Sequence, residues 1–369
     1  MSLQVGIVGL PNVGKSTLFN ALTRAGAAVG AYPFTTIDPN RGIAAVPDRR
    51  LEALARLVGP EQVTPATVEF VDIAGLVRGS HRGEGLGNRF LAHIREVDAI
   101  AVVARCFADP DVAHVDGTVD PIRDLEALDL ELTLADLETV QRRLEKTRPA
   151  ARARPRELAT ELALLEELEA RLQRGERASV FVREDGEERA ALVRELHLLT
   201  AKPRLYVANV AEEDLPEGGV GAEAVSRYAA ADGAPCIVLC AQLEADLASW
   251  PPDEAAEYRA AMGLSQSGLE ALVWAGYRVL DLITFFTIVG GREVRAWSVR
   301  RGATAPEAAG RVHTDMQRGF IRAEVIGWEE LVRAGGWAAA REQGLIRTEG
   351  RDYRIQDGDV CLFRFNVFV

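Results

Sequence analysis

The chain has 369 residues, 48% hydrophobic and 27% charged, which points to two or three folded domains and excludes both a single small module and wholesale disorder. Its formal net charge of −12, from 43 Lys and Arg against 55 Asp and Glu, excludes a protein that coats nucleic acid by bulk charge, so any RNA contact must use local basic patches. No apolar run reaches the roughly 18 to 20 residues of a membrane span, the opening residues lack signal-peptide regions, and the four cysteines are too scattered for a disulfide framework. A cytoplasmic protein with no membrane contact is expected.

In chain order, Gly6-Ile7-Val8-Gly9 opens an apolar run that stops at Pro11, and Leu18, Leu22 and Ala25 then recur at helical spacing. This reads as strand, loop, helix. Further apolar runs bounded by turn residues follow at Thr67–Val71, Ala99–Val103, Arg204–Ala208 and Cys236–Leu239. With helical stretches between them, they predict an α/β fold with a mostly parallel sheet. Cys236 and Cys240 stand at metal-ligand spacing, but they lie in or beside the apolar run Cys236-Ile-Val-Leu-Cys240 and read as core.

From Arg123 to about Thr200 the sequence is rich in Leu, Glu, Arg and Ala, with no glycine between Gly117 and Gly175. Leu130, Leu134, Leu137 and Leu144 recur three to seven apart, and Leu158, Leu162, Leu165, Leu168 and Leu172 three to four apart. The spacing predicts two long amphipathic helices. The prolines between Arg148 and Pro155 are expected to break helical continuity and so make an antiparallel hairpin inserted into the α/β domain. Its tip is basic, with Arg142, Arg143, Lys146, Arg148, Arg152, Arg154 and Arg156 against Glu145 and Glu157. That asymmetry is either a contact surface or simply a solvated helix face. After about Leu282, alternating segments at Val294–Val299 and Cys361–Val367, a helical stretch at Pro306–Met316 and the turn Gln356-Asp-Gly-Asp359 predict a small β-rich α+β domain. The expected domains are residues 1–122 with 201–281, 123–200, and 282–369.

The strongest chemical signal is Gly9-Leu-Pro-Asn12-Val13-Gly14-Lys15-Ser16, followed by Thr17, a match to G-x-x-x-x-G-K-[ST] between an expected strand and helix. Such a loop turns backbone N–H groups and the positive helix end toward phosphate oxygens. Lys15 adds a point charge on the β and γ phosphates, and Ser16 offers a hydroxyl to Mg²⁺. Magnesium keeps waters and takes few protein oxygens, so a second contact is expected at a strand end. Asp72, closing the run Thr67–Val71, supplies it, and Gly75 can bring its N–H to the γ phosphate. Thr36, in Tyr32-Pro-Phe-Thr-Thr-Ile-Asp-Pro-Asn40, is a candidate second hydroxyl ligand or a plain turn residue. The glycine-rich segment Gly79–Asn88 reads as a switch or an irregular loop.

Gly9 to Thr17, Pro33 to Asn40, Asp72-Ile-Ala-Gly75-Leu76, Gly83-Glu-Gly-Leu-Gly-Asn88 and the C-terminal part together resemble the YchF family, the Obg-like ATPases of the translation-factor-related GTPase class. The likeness spans essentially the whole chain. It implies a P-loop, OBG-type nucleotide domain with an inserted helical coiled coil. The C-terminal part resembles a TGS domain, a ubiquitin-like β-grasp module. Related GTPases read guanine with Asn-Lys-x-Asp, whereas here the run is Asn209-Val210-Ala211-Glu212. Asn209 keeps an amide of the kind that pairs with adenine N6 and N7, so ATP is expected over GTP, as the resemblance also implies. Cys240-Ala241-Gln-Leu-Glu244 resembles the family's last nucleotide-contact loop.

Small GTPases place Gln directly after D-x-x-G, but this chain has Leu76, so intrinsic hydrolysis is expected to be slow. The resemblance points to His114 as a catalytic residue, beside Lys15 and Gly75, although a lone His is as readily structural. Asn12 resembles residues that hold K⁺ in related enzymes, or it stabilises the loop. The expectation is a slow Mg²⁺-dependent ATPase switch. The resemblance implies the ribosome or its large subunit as partner, with rRNA or tRNA contacts open. Seven Arg between Arg292 and Arg322, against Glu293, Glu307 and Asp315, fit a local polyanion contact. The alternatives are an Obg-type GTPase in ribosome assembly and a nucleotide-gated RNA- or protein-binding module whose hydrolysis is incidental.

Overall fold

The computed structural model describes residues 3–28, 40–73, 86–110, 112, 117–183 and 186–366. The chain divides into two compact units, Met1–Gly42 with Glu69–Leu272, and Ile43–Val68 with Val273–Val369. Its elements begin β1 (Gln4–Val8), α1 (Lys15–Ala28), β2 (Arg41–Ala45), α2 (Arg49–Val58), β3 (Gln62–Thr64), β4 (Thr67–Asp72), α3 (Leu86–Glu96) and β5 (Ala99–Arg105). Four helices follow, α4 (Pro121–Ala153), α5 (Pro155–Gln173), α6 (Ala178–Arg183) and α7 (Glu187–Glu195). Then come β6 (Arg204–Asn209), α8 (Gly219–Asp232), β7 (Cys236–Leu239), α9 (Ala241–Leu247), α10 (Pro252–Ala261) and α11 (Gly268–Val279). The chain closes with β8 (Leu282–Val289), β9 (Glu293–Arg300), α12 (Ala305–Val312), α13 (Thr314–Arg318), β10 (Phe320–Gly327), α14 (Trp328–Ala334), α15 (Trp337–Glu342), β11 (Arg347–Glu349) and β12 (Asp359–Phe365).

One six-stranded sheet runs β2-β4-β1-β5-β6-β7, with β1, β5, β6, β7 and most of β4 in the first unit. β1 is parallel to both β4 and β5, β5 to β6, and β6 to β7. Every residue of β5 and β6 is buried. That is why these strands read as unbroken apolar runs rather than alternating ones: both sheet faces are covered. The chain steps from β1 to β4 on one side and to β5 on the other. The crevice at the carboxyl end of β1 is therefore the topological switch point where open α/β sheets bind ligands. The expected helix after the first loop is α1, with Leu18, Phe19, Ala21 and Leu22 buried.

The insertion departs from expectation in three respects. First, Pro149 does not break the helix: α4 runs through it to Ala153, and only Pro155, at the first position of α5, marks the turn. Pro149 forfeits one backbone bond, to the carbonyl four residues earlier, and the rest of the ladder carries the helix past it. Second, Leu130 is 56% exposed, while Leu125, Leu128, Leu132, Val140 and Leu144 are buried. Third, the insert is more than a hairpin, because Ala178 and Phe181 of α6 and Leu192 and Val193 of α7 join Val140, Leu144, Leu165, Leu168 and Leu172 in one core. Antiparallel packing is visible in the bonds from Gln141 to Glu169 and from Arg143 to Glu161. Much of the basic tip is internally paired: Arg143 bridges Glu161 and Glu195, and Arg148 bridges Glu166 and Glu169. Lys146, Arg152 and Arg156 remain exposed.

A buried polar joint ties the foot of the insert to the sheet. Asp129 of α4 accepts from Arg204 of β6 at 2.6 Å and from the Tyr228 hydroxyl of α8 at 2.7 Å. Arg177 pairs with Asp232 at 2.6 Å, and Tyr206 donates to the same carboxylate. Asp136, itself buried, accepts from Leu199 N, Thr200 N and Thr200 Oγ1. Every carboxylate in the joint thus has donors, the condition under which buried charge is tolerable.

In the second unit the sheet order is β11-β10-β12-β8-β9-β3. β8 and β9 form an antiparallel hairpin, β12 lies parallel to β8, and β3 adds in parallel beside β9. A central parallel pair flanked by antiparallel neighbours, with α12 packed on one face, is a mixed β-grasp arrangement. Its core is Ile283, Phe285, Val299, Ala308, Phe320, Val325 and Phe363 among others. Glu307 caps α12 by accepting from Thr304 N at 2.7 Å. Arg50, beside the α2 cap Asp48, also pairs with Asp357 at 3.0 Å, which fastens residues 43–68 into this unit. Nothing in the sequence of β3 advertises that placement.

Candidate nucleotide-binding site

The loops leaving β1, β5, β6 and β7 converge on a cavity of about 540 Å³, a size suited to a small-molecule ligand. Its floor is the loop that joins β1 to α1. Asn12, Gly14, Lys15, Ser16 and Thr17 line it, while the Val13 side chain is buried beneath. Gly14 has φ of +93°, and a Cβ there would collide with the Asn209 amide nitrogen, so the tight turn into α1 admits glycine alone. Asn12 also takes positive φ, +62°, a conformation Asn tolerates better than most residues.

Lys15 is 7% exposed, and its Nζ donates to Leu10 O at 2.6 Å. Burial lowers its pKa to about 8, with the charge of Asp72 opposing the shift. An ammonium held in this way has only part of its hydrogen-bonding capacity satisfied and gains from an added anion. Asp72 closes β4, paired through Ile7 of β1, and its Oδ2 accepts from Ser16 Oγ at 3.2 Å. The structure thus brings together the hydroxyl and the carboxylate expected on sequence grounds to share a metal. Such hard oxygens suit Mg²⁺. Thr36, Gly75 and His114 lie outside the described residues, as do Gly79–Gly85 of the glycine-rich segment.

The nucleoside side of the cavity is lined by Asn209, Val210, Ala211, Glu212 and Glu213 after β6, by Cys240, Ala241 and Gln242 at the head of α9, and by Phe107, Ala108, Asp109 and Val112 after β5. Asn209 behaves differently from the adenine-reading amide expected. Its Nδ2 donates to Val13 O at 2.9 Å, and its Oδ1 accepts from Ala241 N at 2.9 Å. Both amide ends are engaged, so the side chain stitches the phosphate loop to the β7–α9 loop. One oxygen of Glu212 is held as well: Oε1 accepts from the Tyr258 hydroxyl at 2.7 Å. Behind α9, buried Glu244 accepts from Ser267 Oγ and Gly268 N, fixing the helix that presents Cys240 and Ala241. Cys240 caps α9, its Sγ accepting from Leu243 N at 3.5 Å. Sequence reasoning missed Phe107, Ala108, Asp109 and Val112, whose only available signal was their place just after a strand end.

Residues 4–142 match a family model described as "50S ribosome-binding GTPase", and residues 282–366 match YchF-GTPase_C, described as "Protein of unknown function (DUF933)". Among curated relatives, the "Ribosome-binding ATPase YchF" of Bacillus subtilis (strain 168) is 49% identical, with all of both chains covered. The protein of the same name from Escherichia coli O157:H7 is 46% identical, again over all of both. A solved structure of the Schizosaccharomyces pombe YchF GTPase superposes with a TM-score of 0.89 at 35% identity, covering 98% of each chain.

Proposed function

The chain belongs to the YchF family, and from that premise we propose that it is a ribosome-associated nucleotide switch that hydrolyses ATP to ADP and phosphate in preference to GTP. The observation that carries the base preference is the state of residues 209–212. Guanine recognition needs a free acceptor facing N1–H and the exocyclic amine. Here the Lys and Asp of the guanine-reading pattern are replaced by Val210 and Glu212, and Tyr258 holds one oxygen of the longer Glu212 side chain away from the short, fixed position an Asp would give. The relatives' name, ribosome-binding ATPase, supports the same base and the ribosome as partner.

In this reading the amides of residues 9–17 and the N-terminus of α1 hold the phosphates, and Lys15 exchanges part of its contact with Leu10 O for phosphate oxygens. Ser16 and Asp72 would hold Mg²⁺, joined by Thr36, and the metal when bound neutralises charge on the β and γ phosphates. Gly75 would donate its N–H to the γ phosphate, and His114 would act on the reacting centre. Leu76 offers no group to orient water, so turnover is slow unless a partner completes the site. A potassium ion at Asn12 is a separable element, tested by replacing K⁺ with Na⁺.

Calorimetric titration with ATP and with GTP in Mg²⁺ tests the base preference, and tighter GTP binding would overturn it. Co-sedimentation with ribosomal subunits in ATP, ADP and nucleotide-free states tests the partner. The descriptions of the matching family model and of the fission-yeast structure as GTPases keep GTP as the second substrate to measure.

A further inference from the structure

The last residue of β5 is a buried arginine. Arg105 is 1% exposed, and among the described residues no carboxylate pairs with it. Its guanidinium instead faces backbone: Nε donates to Phe107 O at 3.2 Å, and Nη2 donates to Asp109 O at 3.3 Å and to Val112 O at 2.9 Å. The Phe107 ring lies against it, 4.6 Å from the guanidinium carbon to the ring centroid. Nη1 is buried with no partner.

Burying a cation without a counter-ion is costly, and a hydrophobic side chain would fill the space without that cost. What the guanidinium supplies is a rigid fork of donors. Residues 106–109 have neither helical nor strand structure to fix their carbonyls; a backbone bond runs from Val112 N to Asp109 O at 3.3 Å, and the guanidinium supplies the further donors that hold the turn. The residues whose carbonyls turn inward onto Arg105, namely Phe107, Asp109 and Val112, are residues that line the nucleotide cavity. The wall is wound around the arginine.

We propose that Arg105 is a positioning residue for the nucleoside-facing wall of the cavity, holding Phe107, Asp109 and Val112 in the arrangement that accepts the base and ribose. This rests on the nucleotide-binding reading above. It makes Arg105 a determinant of nucleotide affinity and base discrimination although it does not itself line the cavity. A Lys in its place keeps the charge but presents one nitrogen, which cannot span three carbonyls.

The test uses the full chain with Mg²⁺, with mant-ATP and mant-GTP as probes and steady-state ATP hydrolysis as a second readout. Arg105→Ala should raise the Kd for mant-ATP at least about tenfold and narrow the ratio between mant-GTP and mant-ATP. KM should rise while kcat stays within about threefold. Arg105→Lys should be nearly as weak as the alanine variant. Low millimolar guanidinium, far below denaturing concentrations, should restore affinity to Arg105→Ala by refilling its cavity and leave Arg105→Lys unchanged. Wild-type affinity in Arg105→Ala overturns the proposal. So does a loss of kcat at constant KM, or a loss of affinity that guanidinium does not restore. A wild-type chain that retains no mant-nucleotide would instead remove the nucleotide reading itself.

Discussion

Lys15 offers a proton-linkage experiment whose size follows from its burial. In the free protein its pKa is lowered from the ordinary 10.5 to about 8, a difference of about 3 kcal/mol between its charged and neutral forms. Phosphate oxygens placed against Nζ favour the ammonium and return the pKa toward or above its ordinary value. At pH 7 about nine-tenths of the free protein carries the charged lysine, and at pH 9 about one-tenth. If only the charged form grips the triphosphate, Kd for Mg-ATP should rise about tenfold between those values. At pH 8 each binding event should take up about half a proton. Calorimetry in two buffers of different ionisation enthalpy counts that proton directly, above the range where the nucleotide itself titrates. The same shift gives the free fold a matching signature: because the folded pKa lies below the unfolded one, stability should rise with pH between about 8 and 10.5. Lys15→Met should abolish both the proton uptake and the slope. A wild-type affinity flat from pH 7 to 9, with no proton uptake, would show that Lys15 is already fully charged in the free site and refute the argument.

Gly14→Ala should cost at least about a hundredfold in ATP affinity, measured by equilibrium dialysis, because its Cβ and positive φ both displace the Asn209 bridge. Asn209→Ala should lower the unfolding free energy in urea by about 2 to 4 kcal/mol, since Val13 O and Ala241 N lose their partner inside the protein; an unchanged denaturation midpoint would contradict that. Asp72→Asn should weaken Mg-ATP binding while leaving metal-free ATP binding nearly intact, as Asp72 meets Ser16 rather than the phosphate-facing amides. Asp232→Ala should destabilise the first unit by about 1 to 3 kcal/mol, because Arg177 keeps its longer contact with Asp129 at 3.6 Å but loses the close one, and Tyr206 loses its acceptor. Thermal or urea denaturation would detect it.

The parallel strands and the phosphate loop were legible because a doubly covered sheet demands continuous apolar runs and the loop demands glycines at fixed spacing. β5, β6 and the Gly9–Thr17 cradle follow from those two constraints. What stayed hidden depends on partners distant in sequence. The Asn209 amide looked available because its two consumers, Val13 O and Ala241 N, are backbone atoms that no composition reveals. Leu130 fitted a leucine stripe, yet along its first half α4 faces β6 and α8 of its host rather than α5, and the buried face rotates accordingly. The short strand β3 carries too few residues for a pattern and is placed by its register with β9. Arg105 was invisible because an arginine at a strand end normally reads as a solvated terminus.

The buried joint at the foot of the insert has a mechanical consequence. From Asp136, the last residue of that joint, α4 continues 17 positions to Ala153, about 25 Å of helix. A rotation of about ten degrees at that foot would sweep the far end of the helix through about 4 Å. The foot is mounted through Arg204 on the first residue of β6, and the sixth and last residue of that strand is Asn209. One short strand therefore carries the lever at one end and the stitch of the nucleotide cavity at the other.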